Sequence, residues 1–497
     1  MKTIKLLSLL LALLMMASML TACAQSEETP NTPNESDTST DTPDDPDVEK
    51  VPEEDVDANK PFDIRTAIEA FPECTLEKEE FIVAAASSLE GTFIVHQFPL
   101  YEEKTGSLLQ DSLFDRDAML EEVLSVSIVY HDIADSSMKN TVGNSVRAGD
   151  DTYSLVLGSL FHTATHMFNG NLLYNLNEVA HIDVSKPWWN KNSVENFQIN
   201  DKIYMATGAI TNRYVYSPYA LLFNQRLIQA HNITSPHVLM ESDEWTLETL
   251  SMLIEDTYVD LNSNNLGDKE DFYGLGHSND VEFYYSFGGT LLEKNEQDEL
   301  VFTYKEEENL DILDGVISLF KSDNVMRPGA TYDSLDAFRE GRVIFHTMAL
   351  CNLNMISDME DAYGIAPLPK YDEYQEEYYA NANRYIGTFA LIPISVQDTD
   401  NVGLITEALA MASQYTSLDK QYEQVLLNRQ ALDAQSKASL IEVVESTTYD
   451  LCYAFGFQDM AYGLRSVVTN GSAYASFYAL YDNSLPKTLE EFLTHFE

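Results

Sequence analysis

Beyond residue 60 the chain alternates short apolar runs with helix-patterned stretches, and this order limits the fold more than any single motif does. Phe81-Ile82-Val83-Ala84-Ala85, Val126-Ser127-Ile128-Val129-Tyr130 and Ser154-Leu155-Val156-Leu157 read as strands, while 111–124 and 136–148 read as helices. A β-α order of this kind favours a parallel sheet and an α/β architecture. Tyr219-Ala220-Leu221-Leu222-Phe223 and Val343-Ile344-Phe345-His346 add buried-strand material, and a helix opens near Thr246. From Glu407 onward the pattern is mainly helical, with Pro486 and Thr488 introducing a final helix. Residues 61–497 exceed the ~250–300 residues at which a single core stops growing, so two lobes are expected.

Ahead of residue 60 no core can form. Residues 24–59 are rich in Asp, Glu, Ser, Thr, Pro and Asn, with Val48, Val51 and Val56 as the larger apolar exceptions, too few to offset chain entropy. Carboxylate repulsion should extend this tether beyond the ~30–35 Å of a flexible coil of its length. Before it, Lys2 and Lys5 precede an apolar run from Leu6 to Leu20 and the sequence Leu20-Thr21-Ala22-Cys23. The run is short for a membrane span, which needs about 20 apolar residues, so it should be cut. It resembles a bacterial lipoprotein signal. That resemblance implies a signal peptide over 1–22, diacylglycerol on the Cys23 thiol, and a lipid-anchored acidic linker over 23–60.

The formal charge is −52, and loss of Lys2 and Lys5 with the signal takes it to −54. Such a surface argues against nucleic acid and anionic lipid as partners and says little about a neutral ligand. Beyond the anchor stand Cys74, Cys351 and Cys452. At most one disulfide can join them, and their wide spacing and apolar neighbours favour buried thiols. His162-Thr163-Ala164-Thr165-His166 has the spacing zinc would use but lacks the adjacent glutamate of a metalloprotease. Gly274-Leu275-Gly276 lacks the third glycine of a dinucleotide fingerprint, and no Gly-x-Ser-x-Gly elbow occurs. No catalytic residue or catalytic cofactor is expected. Carboxylate pairs are too frequent to carry information about glycoside cleavage.

Several segments supply the functional reading. Arg147-Ala148-Gly149-Asp150-Asp151 leads into Leu155-Val156-Leu157-Gly158-Ser159, followed by Ile182-Asp183-Val184-Ser185-Lys186-Pro187-Trp188-Trp189 and Trp245-Thr246-Leu247-Glu248. Then come Phe287-Gly288-Gly289, Phe338-Arg339-Glu340-Gly341-Arg342 and Tyr363-Gly364-Ile365-Ala366-Pro367-Leu368-Pro369-Lys370-Tyr371-Asp372. In order and spacing, over most of residues 110–490, these resemble the family 1 extracellular solute-binding proteins. This is the maltose-binding-protein class of ABC-importer receptors, especially its lipoprotein branch in Gram-positive anaerobes. Some of the devices have local reasons: Gly341 suits a left-handed helix cap, and Thr246 suits an N-cap.

The resemblance implies a two-lobed, periplasmic-binding-protein-like fold of the type II class, with the ligand clamped in a cleft between the lobes. The first lobe would take 61–205 plus about 389–440, and the second 206–388 plus about 441–497. Crossings would fall near Ile203–Gly208 and Ile386–Ala390. It further implies a monomeric receptor on the outer face of a Gram-positive-type cell membrane, delivering a carbohydrate to ABC permease subunits. A peptide or other polar solute is the alternative cargo. A secreted carbohydrate-processing enzyme and a surface binding protein without transport are the rival classes.

A sugar needs aromatic platforms and polar side chains around its rim. By position in the family pattern, the ligand-contacting residues would be Ser159 and His162, then Tyr214 and Tyr216, then Asn279, Asp280 and Phe283, with Phe477 and Tyr478 near the end. Trp188 and Trp189 read as packing at the lobe edge. Leu350-Cys351 stands where many sugar-binding relatives present a tryptophan. Separately, residues 260–271 follow the twelve-residue calcium-loop pattern, with Asp260, Asn262, Asn264, Asp268 and Asp271 as side-chain ligands and Leu266 offering its carbonyl. A solvated Asx-rich turn is the other reading of that loop.

Overall fold

Three parallel strands begin the folded region. β1 (Phe81–Ala85), β2 (Ile128–Asp132) and β3 (Leu155–Ser159) pair with Phe81 beside Ile128 and Val83 beside Leu155. Helix Leu108–Leu124 runs into β2, and helix Asp135–Arg147 joins β2 to β3. Leu113, Leu120, Met138 and Val142 on these helices are buried against the sheet, as crossover helices require. β2 extends two residues past its apolar run because His131 and Asp132 still pair with Ala84 and Ala85. The computed structural model describes residues 62–76, 78–87, 97–278, 281–326, 332–427, 434–470 and 474–497. Pro61–Glu497 forms one compact unit, and Cys23 with its signal and linker lies outside the described residues. No described helix is long and apolar enough to cross a membrane.

A second sheet follows. β4 (Tyr219–Asn224) and β5 (Tyr273–His277) come first, then a hairpin of β6 (Leu292–Lys294) and β7 (Leu300–Phe302), then β8 (Val343–Ala349) and β9 (Tyr363–Ala366). The order across this sheet is β5-β8-β4-β9. The local devices operate as expected. Gly341 adopts φ +73° and lets β8 start at Val343, and the Thr246 hydroxyl accepts the Thr249 N–H at 3.3 Å. Beside that cap the Trp245 indole donates to the Pro367 carbonyl at 3.0 Å, which fixes helix Leu247–Leu253 to the strand exit.

The chain then returns through β10 (Ala380–Asn381) to β11 (Thr388–Leu391), which adds antiparallel to β3 and completes the order β11-β3-β1-β2. β12 (Thr447–Thr448) pairs with β10 in parallel. The crossings differ from expectation. Ala206 still bridges Ala390 on the first sheet, so 203–208 has not yet left that lobe, and β11 is already inside it. The passes between sheets are 217–218, 380–383 and 446–448. They lie side by side through Asn383 N–H to Ser217 O at 2.9 Å and Ala382 N–H to Thr448 O at 3.2 Å. Gly208 serves close packing and not a hinge, since a Cβ there would stand 2.2 Å from the Trp188 carbonyl oxygen.

The helical tail also divides differently. Helix Thr399–Thr416 packs on Leu108–Leu124 of the first lobe, whereas Ala434–Glu445 packs on β9 and Met460–Asn470 on helix Glu307–Lys321 of the second. The last helix, Leu485–Leu493, returns to the first lobe. Phe492 and Phe496 lie 5.5 and 5.4 Å from Phe168, and Tyr204 donates to the His495 carbonyl at 2.8 Å. Helical periodicity marks an apolar face but not the partner that covers it, which is why a single boundary near 441 fails.

Trp188 and Trp189 are buried, and both indoles donate to Glu407 on helix Thr399–Thr416, at 2.9 Å to Oε1 and 3.0 Å to Oε2. Burial pushes the Glu407 carboxyl up to about 7, although the two indoles and the Asp183 N–H pull it down. The folded protein therefore holds a proton that the unfolded chain releases near pH 4.5, and stability falls as pH rises from about 4.5 to 7. Buried Asp450, pushed up to about 6, acts in the same sense. Urea denaturation across that window should show the decline. Glu407→Gln should flatten it by roughly 3 kcal/mol at most and leave the Asp450 part; an unchanged slope would contradict the assignment.

Candidate functional site

In open α/β sheets ligands lie outside the carboxyl ends of the strands. Here β1, β2 and β3 end at one face, and β5 and β8 end facing it from the other sheet. Past β3, Ser159 caps a π-helical turn, Leu160–Ala164, by accepting the His162 N–H at 3.3 Å. π-turns are rare and concentrate at functional sites. This one is stitched to the crossing segment, with Leu160 N–H on Gly387 O at 2.8 Å and Phe161 N–H on Arg384 O at 3.0 Å. The rings of Phe161 and His162 consequently meet Tyr385 at 4.7 and 5.6 Å.

Across from this turn lies a cavity of about 200 Å³ lined by Tyr219, Ser278, Arg384, Tyr385, Tyr453 and Tyr462, among others. Tyr219 opens β4, Ser278 follows β5, Arg384 and Tyr385 belong to the crossing segment, and Tyr453 and Tyr462 come from the helical tail. The Tyr385 and Tyr462 hydroxyls share a hydrogen bond of 2.7 Å. Two larger depressions, about 1090 and 1000 Å³, lie at the opposite end of β10. Glu376 and Tyr379 border both. They lie away from the strand carboxyl ends.

The sequence candidates divide. His162 reaches the cavity rim through Tyr385, while Ser159 is fully buried as a cap that also donates its N–H to Asp135 at 3.2 Å. Asn279 and Asp280 lie outside the described residues, though Ser278 and Val281 on either side line the cavity. Tyr214 is buried and points away, donating to the Val444 carbonyl at 3.4 Å, and borders one of the larger depressions. Tyr216 is buried, and its carbonyl takes the Cys351 N–H at 3.0 Å. Phe283 is fully buried against Phe287 and Phe320 at 5.7 Å. Phe477 packs beneath Gly463, where a Cβ would meet it at 2.7 Å, and Tyr478 lies against Tyr304 at 5.4 Å. These five aromatic side chains do not line the cavity. Those that do were missed. The available signals were the general tyrosine richness and an arginine in the return crossing.

A buried polar cluster lies in the first lobe at the ends of β1 and β3. Arg213 is fully buried, with Nη1 3.4 Å from Asp135 Oδ2 and Nη2 donating to Ala86 O at 3.1 Å. Burial pulls its guanidinium below the usual range, opposed by Asp135 and Asp132. Cys351 lies beside it on the second lobe, and burial pushes its thiol up to about 12. Cys74, Cys351 and Cys452 are all unpaired. His166 holds the Phe161 carbonyl at 3.1 Å and contacts Lys139 Nζ at 3.2 Å. Among the described residues no group of three or more His, Cys, Asp or Glu is arranged to hold a metal ion.

No family model matches the chain, and no curated protein is similar to it in sequence. Solved structures are similar in fold. An ABC substrate-binding protein from Listeria monocytogenes, in complex with cycloalternan, superposes with TM-score 0.52 at 13% identity, over 83% of this chain and 100% of that one. A cyclo/maltodextrin-binding protein complexed with maltotetraose gives 0.55 at 10% identity, over 84% and 98%. UspC of M. tuberculosis gives 0.52 at 13% identity, over 80% and 97%. The chain has the solute-binding-protein fold. In that fold the crossing segments join two lobes, and the tyrosine-lined cavity lies beside one of them at Arg384 and Tyr385.

The 260–271 loop closes on its own hydrogen bonds. Asp260 accepts the N–H groups of Ser263 and Asn265, at 2.6 and 2.9 Å, and Asn265 takes the left-handed turn with φ +61°. The Asn262 and Asn264 oxygens accept backbone N–H groups while their amides reach Asp268 at 3.2 and 2.6 Å. Leu266 is exposed. A calcium ion would have to displace those amides from Asp268 and meet oxygens in their place. Asp271 is fully buried and accepts from Leu261 N–H, Tyr258 hydroxyl and Asp268 N–H at 3.0, 3.1 and 3.2 Å. Asp271→Ala should therefore cost about 2–3 kcal/mol in chemical denaturation, with or without calcium, since buried donors lose their acceptor. A melting-temperature rise at millimolar calcium that Asp260→Ala abolishes would instead assign an ion to the loop.

Proposed function

We propose that this chain is a non-enzymatic capture subunit of an ABC importer, anchored by lipid at Cys23 on the outer membrane face, that closes two lobes over an oligosaccharide. The observation that carries this reading is the tyrosine-lined cavity formed by the second lobe, the crossing segment and the tail, with Phe161 and His162 of the first lobe packed against its Tyr385. The neighbours in fold support it, since two of them are described in complex with cycloalternan and maltotetraose. Tyrosine faces suit the apolar side of a pyranose, and their hydroxyls suit its rim. Ser278 extends the polar set, and His162 of the first lobe packs against Tyr385.

Closure follows from the same geometry. β10 and β12 are two residues each, so bending them disturbs few hydrogen bonds. A ligand that touches both lobes favours the closed state by its difference in affinity between the two states. Among the described lining residues there is no carboxylate, whereas glycoside cleavage generally employs a pair. ABC permease subunits are the partners this role implies, and the acidic tether would give the receptor its reach from the membrane.

A thermal-shift screen across neutral and charged oligosaccharides should yield a stabilising sugar, and that sugar should lower the radius of gyration in solution scattering. Tyr385→Ala should weaken it about threefold to tenfold. Binding without compaction would reject the clamp. Cys23→Ala should move the protein from the membrane fraction to the medium with its melting temperature unchanged; retention in membranes would reject the anchor.

A further inference from the structure

The described residues bury four lysine and arginine side chains: Arg116, Arg213, Lys370 and Arg384. Three of them have a carboxylate at hand. Arg116 meets Asp117 at 2.7 Å, Arg213 meets Asp135 at 3.4 Å, and Lys370 meets Asp243 at 2.7 Å. Burial of charge ordinarily demands such a partner.

Arg384 differs. It is 1% exposed, and among the described residues no carboxylate contacts it. Nη1 donates to the Tyr453 carbonyl at 2.8 Å and Nη2 to the Tyr385 hydroxyl at 3.4 Å, while Nε has no partner. Four rings surround the guanidinium, with centroids at 4.5 Å for Phe161, 5.1 Å for Tyr453, 5.3 Å for Tyr385 and 5.5 Å for Tyr462. Aromatic faces offset part of the desolvation, about 2 kcal/mol for a desolvated pair, but they supply no counterion, and none stands among the described residues. Arg384 also lines the cavity at the lobe junction, together with a second guanidinium, Arg465. In a chain of net charge −52, that is where a cation is left for a ligand.

We propose that the captured saccharide carries an anionic substituent, a carboxylate or a sulfate, which docks on Arg384 while the surrounding tyrosines take the sugar ring. This rests on the reading of the cavity as a sugar site and narrows its substrate class. A guanidinium presents parallel N–H groups that match either oxyanion. The protein's acidic surface repels anions at long range, but physiological salt screens that field beyond about 8 Å, so selection falls to the contact at Arg384.

Calorimetric titration of the full chain with tetragalacturonate, a sulfated disaccharide and maltotetraose tests this. One of the two anionic probes should bind about tenfold or more tighter than maltotetraose, and which one does so separates carboxylate from sulfate. Arg384→Gln should abolish that preference. Arg384→Lys, which keeps the charge without the planar fork, should retain part of it, with circular dichroism melting confirming that each variant is folded. Maltotetraose binding as tightly as both anionic probes would overturn the anionic-ligand proposal while leaving a sugar receptor in place. A preference that persists in folded Arg384→Gln would also overturn it. Failure of all three probes would overturn it too, and with an empty oligosaccharide screen the sugar reading would fall as well.

Discussion

The Asp135 carboxylate holds the junction together. One oxygen takes the Ser159 N–H at the end of β3 and the other faces Arg213, whose guanidinium also reaches the Ala86 carbonyl at the end of β1. Three strand ends and the first crossing segment are thus tied at one buried point. An ion pair of this kind is expensive to bury, and removing one partner costs about 3–5 kcal/mol because the other is stranded. Its importance is positional. The turn after β3 can present Phe161 and His162 to the crossing segment only while its base is held there.

From that point outward the molecule is built as two stiff blocks and a thin joint. Each block has a four-stranded sheet wrapped by helices. In the joint the passes at 217–218, 380–383 and 446–448 lie side by side, with only two-residue strands where they pair. The tail helices do not stay on one side. The helix ending in Phe496 lies on the first lobe, and the one ending at Asn470 lies on the second. Tyr453, ahead of both helices, and Tyr462, in the second of those named, are carried to the cavity. The cavity wall is therefore assembled from parts far apart in sequence.

That assembly explains what could be read from the sequence. The strands at 81–85, 155–157, 219–223 and 343–346 were legible because parallel or centrally placed strands are apolar on both faces. The caps at Thr246 and Gly341 were legible because their chemistry is local. Tyr214, Tyr216, Phe283 and Phe477 are buried away from the cavity, which the sequence could not show for the opposite reason. An aromatic residue reads the same whether it packs a core or lines a cleft, and only tertiary placement separates the two. Arg384 carries no local pattern at all. Its meaning comes from having, among the described residues, none of the acid partners that Arg116, Arg213 and Lys370 have. The crossings were misplaced by several residues because glycine at 208 answers a backbone contact with Trp188 as readily as it would a hinge.

The three tryptophans of the chain have a consequence for spectroscopy. Trp188 and Trp189 sit side by side in the first lobe, on one carboxylate, and Trp245 is fully buried in the second. None borders the cavity beside Arg384. Tryptophan emission therefore reports on the interiors of the two lobes, with the paired indoles reading one and the single indole the other. A sugar entering between the tyrosines has no indole to quench, so a silent emission spectrum on titration would say nothing against binding. Absorbance changes from the tyrosines are the optical signal that the site itself can give.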